Sequence, residues 1–259
     1  MFRKAIAISF LATLATTASA DAINLSSWNE LTLDFPGGQN AGDWVLAGDN
    51  ESVTQIVNAD PSFYLNGLNQ TTFTMDGTWQ VLTGSDDDYM GFVFGYQNSS
   101  NFYLFDWKKN NQGYAGTYAY EGMTVKKMEG STGNGLTDLS LAEFWENGSD
   151  YGDMSVLATN HGGTKGWVSG VLYDFHLDFN QTAGEFNIVV KQGSTTLWDV
   201  TVADSTFTAG QFGFYNYSQE QVRYAGFTQT GGVIVPVPAP ASLLLLAIGL
   251  LLAPRRSGT

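Results

Sequence analysis

Asp86, Asp87 and Asp88 stand in a row at the start of DDDYMGFVFGYQNSSNFYLFDWKK, which runs to Lys109. Adjacent carboxylates repel one another unless a cation neutralises them. Calcium suits such a cluster because it takes about six to eight oxygen ligands at flexible geometry. The apolar and aromatic residues that follow would fix the carboxylates on a rigid sheet. Taken alone, an acidic triplet is more often a solvated loop than a metal site, so its chemistry depends on what surrounds it.

Other reactive constellations are missing. The chain has no cysteine, which excludes thiol chemistry and zinc-thiolate sites, and only two histidines, too few for a histidine-rich zinc centre. No G-x-S-x-G nucleophile motif occurs. A glycosidase needs two facing carboxylates about 5–9 Å apart. The nearest approach is Asp174, His176 and Asp178, on a strand face expected to meet solvent. His161, in Asn160-His161-Gly162-Gly163, reads as a loop residue. The chain is therefore read as no enzyme. Aromatic residues make up 14% of it, and most are expected in the core. Tyr114, Tyr118 and Tyr120 sit among small residues after a turn and are the best candidates for exposed rings.

The elements that must position these groups are strands. Val171, Tyr173, Phe175, Leu177 and Phe179 alternate with polar residues, as do Phe186, Ile188 and Val190, and Trp198, Val200 and Val202. Phe212 and Phe214 open another run, and Tyr224 to Phe227 is expected to close the domain. Turn clusters at Gly37-Gly38, Asn110 to Gly113, Asn160 to Gly163 and Gln192-Gly193 separate the runs. Many short strands with turns between them predict an all-β sandwich of two antiparallel sheets. Leu136 to Trp145 breaks the pattern and predicts a short helix or a cover loop.

Both ends are organised differently. Arg3 and Lys4, the apolar Ala5 to Thr16, and Ala18-Ser19-Ala20 have the order of a signal peptide over residues 1–20. Val233 to Ala253 is uncharged, long enough to cross a bilayer, and ends at Pro254-Arg255-Arg256. A membrane-tethering helix is expected there, with Thr228 to Val237 as a linker. Between the ends, all 25 acidic residues face seven basic ones, which repels nucleic acid and attracts divalent cations.

Several blocks resemble a known family in order. Asp43-Trp44-Val45-Leu46 with Gln55 to Pro61, the Asp86–Lys109 stretch, Ser131 to Gly135, and Gly213 to Glu220 are similar to segments of the thrombospondin C-terminal domain. The resemblance implies a calcium-loaded, lectin-like jelly roll over residues 21–230. It implies calcium at Asp86, Asp87 and Asp88, with Asn58 and Asp60 as weaker candidates. Asp106 interrupts the strand that relatives use for receptor binding, so that role is not carried over. The tail over residues 231–259, with Val237-Pro238-Ala239-Pro240, an apolar stretch and an arginine pair, resembles a PEP-CTERM sorting signal, although Ala239 stands where the usual tripeptide has Glu. That resemblance implies an exosortase-type processing enzyme and delivery to the envelope or extracellular matrix. The function expected is non-catalytic, calcium-dependent adhesion to surface proteins or matrix. The alternative is a calcium-dependent lectin for the producer's exopolysaccharide.

Overall fold

The computed structural model describes residues 22–236. The expected signal peptide lies outside the described residues, as does the tail from residue 237 onward.

The strands in chain order are β1 (Asn29–Thr32), β2 (Trp44–Leu46), β3 (Ser52–Gln55), β4 (Ser62–Leu65), β5 (Gln70–Val81) and β6 (Tyr89–Asn98). Next come β7 (Asn101–Lys108), β8 (Gln112–Tyr114), β9 (Thr117–Ala119), β10 (Gly122–Glu129) and β11 (Met154–His161). The last five are β12 (Leu172–Asn180), β13 (Glu185–Gln192), β14 (Thr195–Ala203), β15 (Gln211–Tyr217) and β16 (Val222–Ile234). Two short helices, α1 (Gly135–Asp138) and α2 (Leu141–Trp145), fall where the strand pattern breaks.

Seven strands form the first sheet, in the order β1-β4-β15-β6-β7-β10-β11. Seven more form the second, β14-β13-β12-β5-β16-β3-β2. Every pairing between these strands is antiparallel. The main core lies between the sheets, where Trp79, Phe92, Phe105, Phe175 and Phe214 pack with no exposure beyond 3%.

The two sheets differ in what covers them. β12 alternates buried and accessible residues because only one of its faces is covered. β6 is buried at its first eight positions, which accounts for the unbroken apolar run YMGFVFGY. Its second face meets a smaller core in which Leu33, Phe35, Leu139, Phe144 and Trp145 cover Tyr89, Val93 and Phe102. The α1–α2 segment is therefore a lid over the outer face of the first sheet. Gly91 is required in this arrangement, since a Cβ there would lie 1.9 Å from the Phe105 carbonyl oxygen.

Two sequence expectations change. β16 stays paired with β5 as far as Ile234, so residues 228–234, read as a linker, are strand. His161, read as a loop residue, ends β11, lies 2.9 Å from the Thr124 hydroxyl and stacks on Tyr120.

Candidate metal centre and adjoining recess

The acidic triplet leads directly into β6, and its geometry follows from the strands around it. The Asp88 N–H donates to Gln219 Oε1 at 3.0 Å, and its carbonyl accepts from Trp167 Nε1 at 3.0 Å. The Lys109 N–H reaches the Asp87 carbonyl at 3.2 Å. Held this way, the three carboxylates offer oxygens within 4.8 Å of one another.

A cation of the protein's own sits inside this loop. β7 pairs Lys108 with Tyr89, bringing the Lys108 side chain under the triplet. Its Nζ donates to Asp88 Oδ1 (2.6 Å), the Asp87 carbonyl (2.8 Å) and Gln112 Oε1 (2.8 Å), with Asp87 Oδ1 at 3.3 Å. Lys108 is fully buried, and its ammonium lies 5.0 Å from the Trp145 ring. Burial pushes the Asp88 carboxyl up to about 6, with Lys108 and the Ser218 hydroxyl offsetting part of the effect and Asp86 adding to it.

The Asp86 carboxylate has no such partner, although Lys109 Nζ donates to the Asp86 carbonyl at 3.4 Å. One oxygen accepts the Asp87 N–H at 2.9 Å, and the other, Oδ2, is buried with no hydrogen bond. Asp87 Oδ2 receives Asn110 Nδ2 at 3.0 Å. The outer side of the loop is therefore short of a cation while the inner side is filled. Three carboxylates outnumber the Lys108 and Lys109 ammonium groups at the loop, and their hard oxygen donors fit calcium on that outer side.

The weaker candidates separate. Asn58 is exposed, and Asp60 lies outside the group of converging carboxylates. Asp60 is fully buried, its oxygens accepting the Phe35 N–H (2.9 Å) and the Gln39 N–H (2.7 Å). Burial raises its carboxyl, and those two N–H donors offset part of the rise. Gly38 makes room for it, because a Cβ there would fall 2.1 Å from Asp60 Oδ2.

Asp60 and Asp88 nevertheless share a recess of about 240 Å³, together with Gln39, Gln112, Tyr114, Trp145, Tyr217 and Ser218. Ser218, in the left-handed region at φ 53°, donates its N–H to the Ala59 carbonyl at 2.8 Å and so ties the Asp60 loop to the end of β15. Tyr114 leans on Trp145 with ring centroids 5.0 Å apart. Tyr114, Tyr118 and Tyr120 are 41%, 44% and 43% exposed, as their neighbours in sequence suggest. Residue types alone did not point to Lys108, Gln112, Ser218 or Trp145. The one available signal was the β6–β7 hairpin, which returns the chain beside the triplet. The bulge that shifts its register between Phe94 and Asn98 hides which residue arrives there.

A second buried ion pair lies on the same sheet face. Lys126 Nζ is 2.7 Å from Asp106 Oδ2, both side chains are inaccessible, and Lys126 also donates to the Phe144 carbonyl of the lid at 2.8 Å. Burial pushes the Asp106 carboxyl up to about 6 against the pull of Lys126, and lowers the Lys126 ammonium.

Known proteins resemble this chain in sequence and in fold. Thrombospondin-2 of Gallus gallus is 31% identical over 189 residues, covering 71% of this chain and 16% of the relative. Thrombospondin-4 of Bos taurus is 30% identical over 186 residues, covering 70% and 19%. The chain thus spans less than a fifth of the length of these curated relatives. Among solved structures, the carbohydrate binding module CBM66 from Bacillus subtilis superposes with a TM-score of 0.53 at 16% identity, over 80% of this chain and 98% of that one. The Ca2+/Man3GlcNAc-bound exoplasmic domain of VIP36 gives 0.50 at 8% identity, over 85% and 89%. These likenesses show the fold, a lectin-like jelly roll of two antiparallel sheets. The family model for the thrombospondin C-terminal region matches residues 39–230, and the chain is a member of that family.

Proposed function

We propose that this protein is an exported, non-catalytic adhesion or matrix protein whose lectin-like sandwich binds calcium at the Asp86–Asp88 loop. The observation that carries the reading is the buried Asp86 Oδ2 with no partner, in a cluster that still has excess negative charge. Asp86 and Asp87 would hold the ion, and calcium when bound would supply the charge neutralisation that Lys108 does not complete. Lys108 and Gln112 hold the inner carboxylate in place, and Gln219 and Trp167 hold its backbone. Asp88 is committed to an ammonium group and Asp60 to backbone N–H donors, which supports binding in preference to catalysis. On the opposite sheet, His176 and Asp76 pair at 2.8 Å on a partly exposed surface, which supports a solvated role for that strand face.

The test is the melting temperature of the purified protein in calcium and in chelator. Calcium should raise it, and Asp86→Asn should abolish the rise while leaving the chelator value unchanged or higher. An identical melt in both conditions for the native chain would sink the calcium reading.

A calcium-dependent lectin for the producer's exopolysaccharide is the second reading. Tyr114 favours it, as an exposed ring at the mouth of a recess that contains Asp88. Co-sedimentation with the exopolysaccharide, in calcium and then in chelator, separates this reading from adhesion to surface proteins. Export through residues 1–20, exosortase-type processing and tethering through residues 237–259 complete the proposal. Removing residues 237–259 should release the protein into the medium.

A further inference from the structure

We propose that Lys126 and Asp106 condense into an intramolecular isopeptide bond that ties β10 to β7. The Lys126 Nζ attacks the Asp106 carboxyl carbon, a C–N bond forms, a C–O bond breaks, and one water leaves. The step is a condensation, so it needs no oxidant, reductant or second molecule. It is independent of calcium and of the lectin reading.

Strand register brings the two side chains together. Tyr215, Gly91, Asp106 and Thr124 form one row across β15, β6, β7 and β10. Residues two apart on a strand share a face, so Lys126 stands beside Asp106. Both side chains have no exposure, and Lys126 Nζ lies 2.7 Å from Asp106 Oδ2. The C–O bond adds about 1.2 Å, so the carboxyl carbon is at most about 3.9 Å from the nitrogen. Reaction needs about 3–3.5 Å, which a small rotation of the lysine stem supplies. The contact is close but poorly directed, because neither Asp106 oxygen has a hydrogen-bond partner among the described residues. Lys126 Nζ instead donates to the Phe144 carbonyl at 2.8 Å. Lys108 is held differently. It donates to Asp88 Oδ1, the Asp87 carbonyl and Gln112 Oε1, a set that keeps it a cation.

The surroundings favour the reactive forms of both groups. Burial raises the Asp106 carboxyl and lowers the Lys126 ammonium, so both neighbours are pushed toward neutrality. One proton passing from Nζ to the carboxylate gives a nucleophilic amine and a carboxylic acid. The acid hydroxyl then takes up the proton that nitrogen sheds on attack and leaves as water. Gly91 puts no side chain between Asp106 and Tyr215 in the row, and the buried Tyr215 hydroxyl has no partner among the described residues. Burial, and after it the Asp106 charge, raise that hydroxyl, so it stays a neutral donor beside the oxygen that becomes negative during attack. The lid residues Phe144 and Trp145 keep bulk water from the site, which opposes the reverse hydrolysis. The finished bond would close residues 106–126 around the β8–β9 hairpin, in a chain that has no cysteine for a disulfide.

The experiment is mass spectrometry of the full chain, kept folded for several days and then denatured. Once its ends are assigned, the native protein should be lighter than its sequence by one water. A protease digest should contain a branched peptide that joins Asp106 to Lys126. Asp106→Asn should yield the identical branched peptide, because ammonia then leaves in place of water. Lys126→Arg keeps the charge without the nucleophilic amine and should yield none. The native digest and Asp106→Asn keep the test valid if the arginine variant misfolds. Tyr215→Phe removes an unpartnered hydroxyl, so it should lower the linked fraction several-fold while the unlinked chain melts as before. An equal linked fraction in that variant would overturn the role of Tyr215. A native protein of full mass with no branched peptide would overturn the bond and leave an ordinary buried ion pair. Uncondensed chain keeps a titrating Asp106 and condensed chain does not, and the mass sorts the two before any measurement of stability.

Discussion

Replacing Lys108 with methionine would separate the cation the protein carries from the one it is proposed to recruit. Methionine keeps the length of the stem under Trp145 and removes the charge. Asp87 Oδ1, Asp88 Oδ1 and Gln112 Oε1 then lose the ammonium, and the Asp87 carbonyl keeps only the Lys109 N–H. Breaking a buried pair by deleting one member costs about 3–5 kcal/mol. The side chain of Asp87 is 34% exposed and that of Asp88 only 8%, so the Asp87 share is screened and the lower end applies, about 3 kcal/mol. For a domain of this size each kcal/mol moves Tm by about 2–4 °C, so the variant should melt about 6–12 °C lower in chelator. The vacated oxygens are hard donors already converged on one point. Calcium at about a hundredfold over its Kd returns about 2.7 kcal/mol, close to the amount lost. The assay is thermal unfolding of native and Lys108→Met protein, each with calcium and with chelator. The variant should show the larger calcium response. A variant that melts within about 2 °C of the native protein in chelator would refute the assignment of Lys108 as the internal cation.

Two further predictions concern buried charge on the same sheet face. Asp88 and Asp106 both have carboxyls raised by burial to about 6. The folded protein therefore holds more protons than the unfolded chain between about pH 4 and 6, and the contribution present at acid pH is lost as pH rises through about 6. Tm measured across that window should fall less steeply in Asp106→Asn, and an unchanged slope would contradict the shift. Lys126→Met should cost about 3–5 kcal/mol by leaving Asp106 unpaired, while Asp106→Leu with Lys126→Met should recover most of it. Urea denaturation of Asp106→Leu, Lys126→Met and the double variant closes that cycle, and a double variant as unstable as Lys126→Met would argue that the pair supports the lid through Phe144.

Much of this architecture is written locally in the chain. Alternation in Leu172–Asn180 announces a strand covered on one face, because side chains on a strand point to opposite sides in turn. The unbroken run in Tyr89–Tyr96 announces a strand covered on both, and the helical pattern from Leu136 to Trp145 supplies the cover. Asp86 to Asp88, as neighbours in sequence, had to be neighbours in space, so a local concentration of negative charge was legible in the chain itself. Tertiary structure alone determined what answers it. Lys108 arrives from 20 residues downstream of Asp88 through a bulged hairpin. Asp60 arrives from another loop, tied in by Ser218 at the end of β15. Long-range pairing sets those distances, and no local pattern encodes them. The triplet by itself could not reveal that its inner side is already neutralised and only Asp86 stands open. Nor could it show that its last carboxylate faces a second one across a recess. Desolvation and charge at the site depend on packing between loops remote in sequence, whereas a strand's periodicity depends only on its own residues.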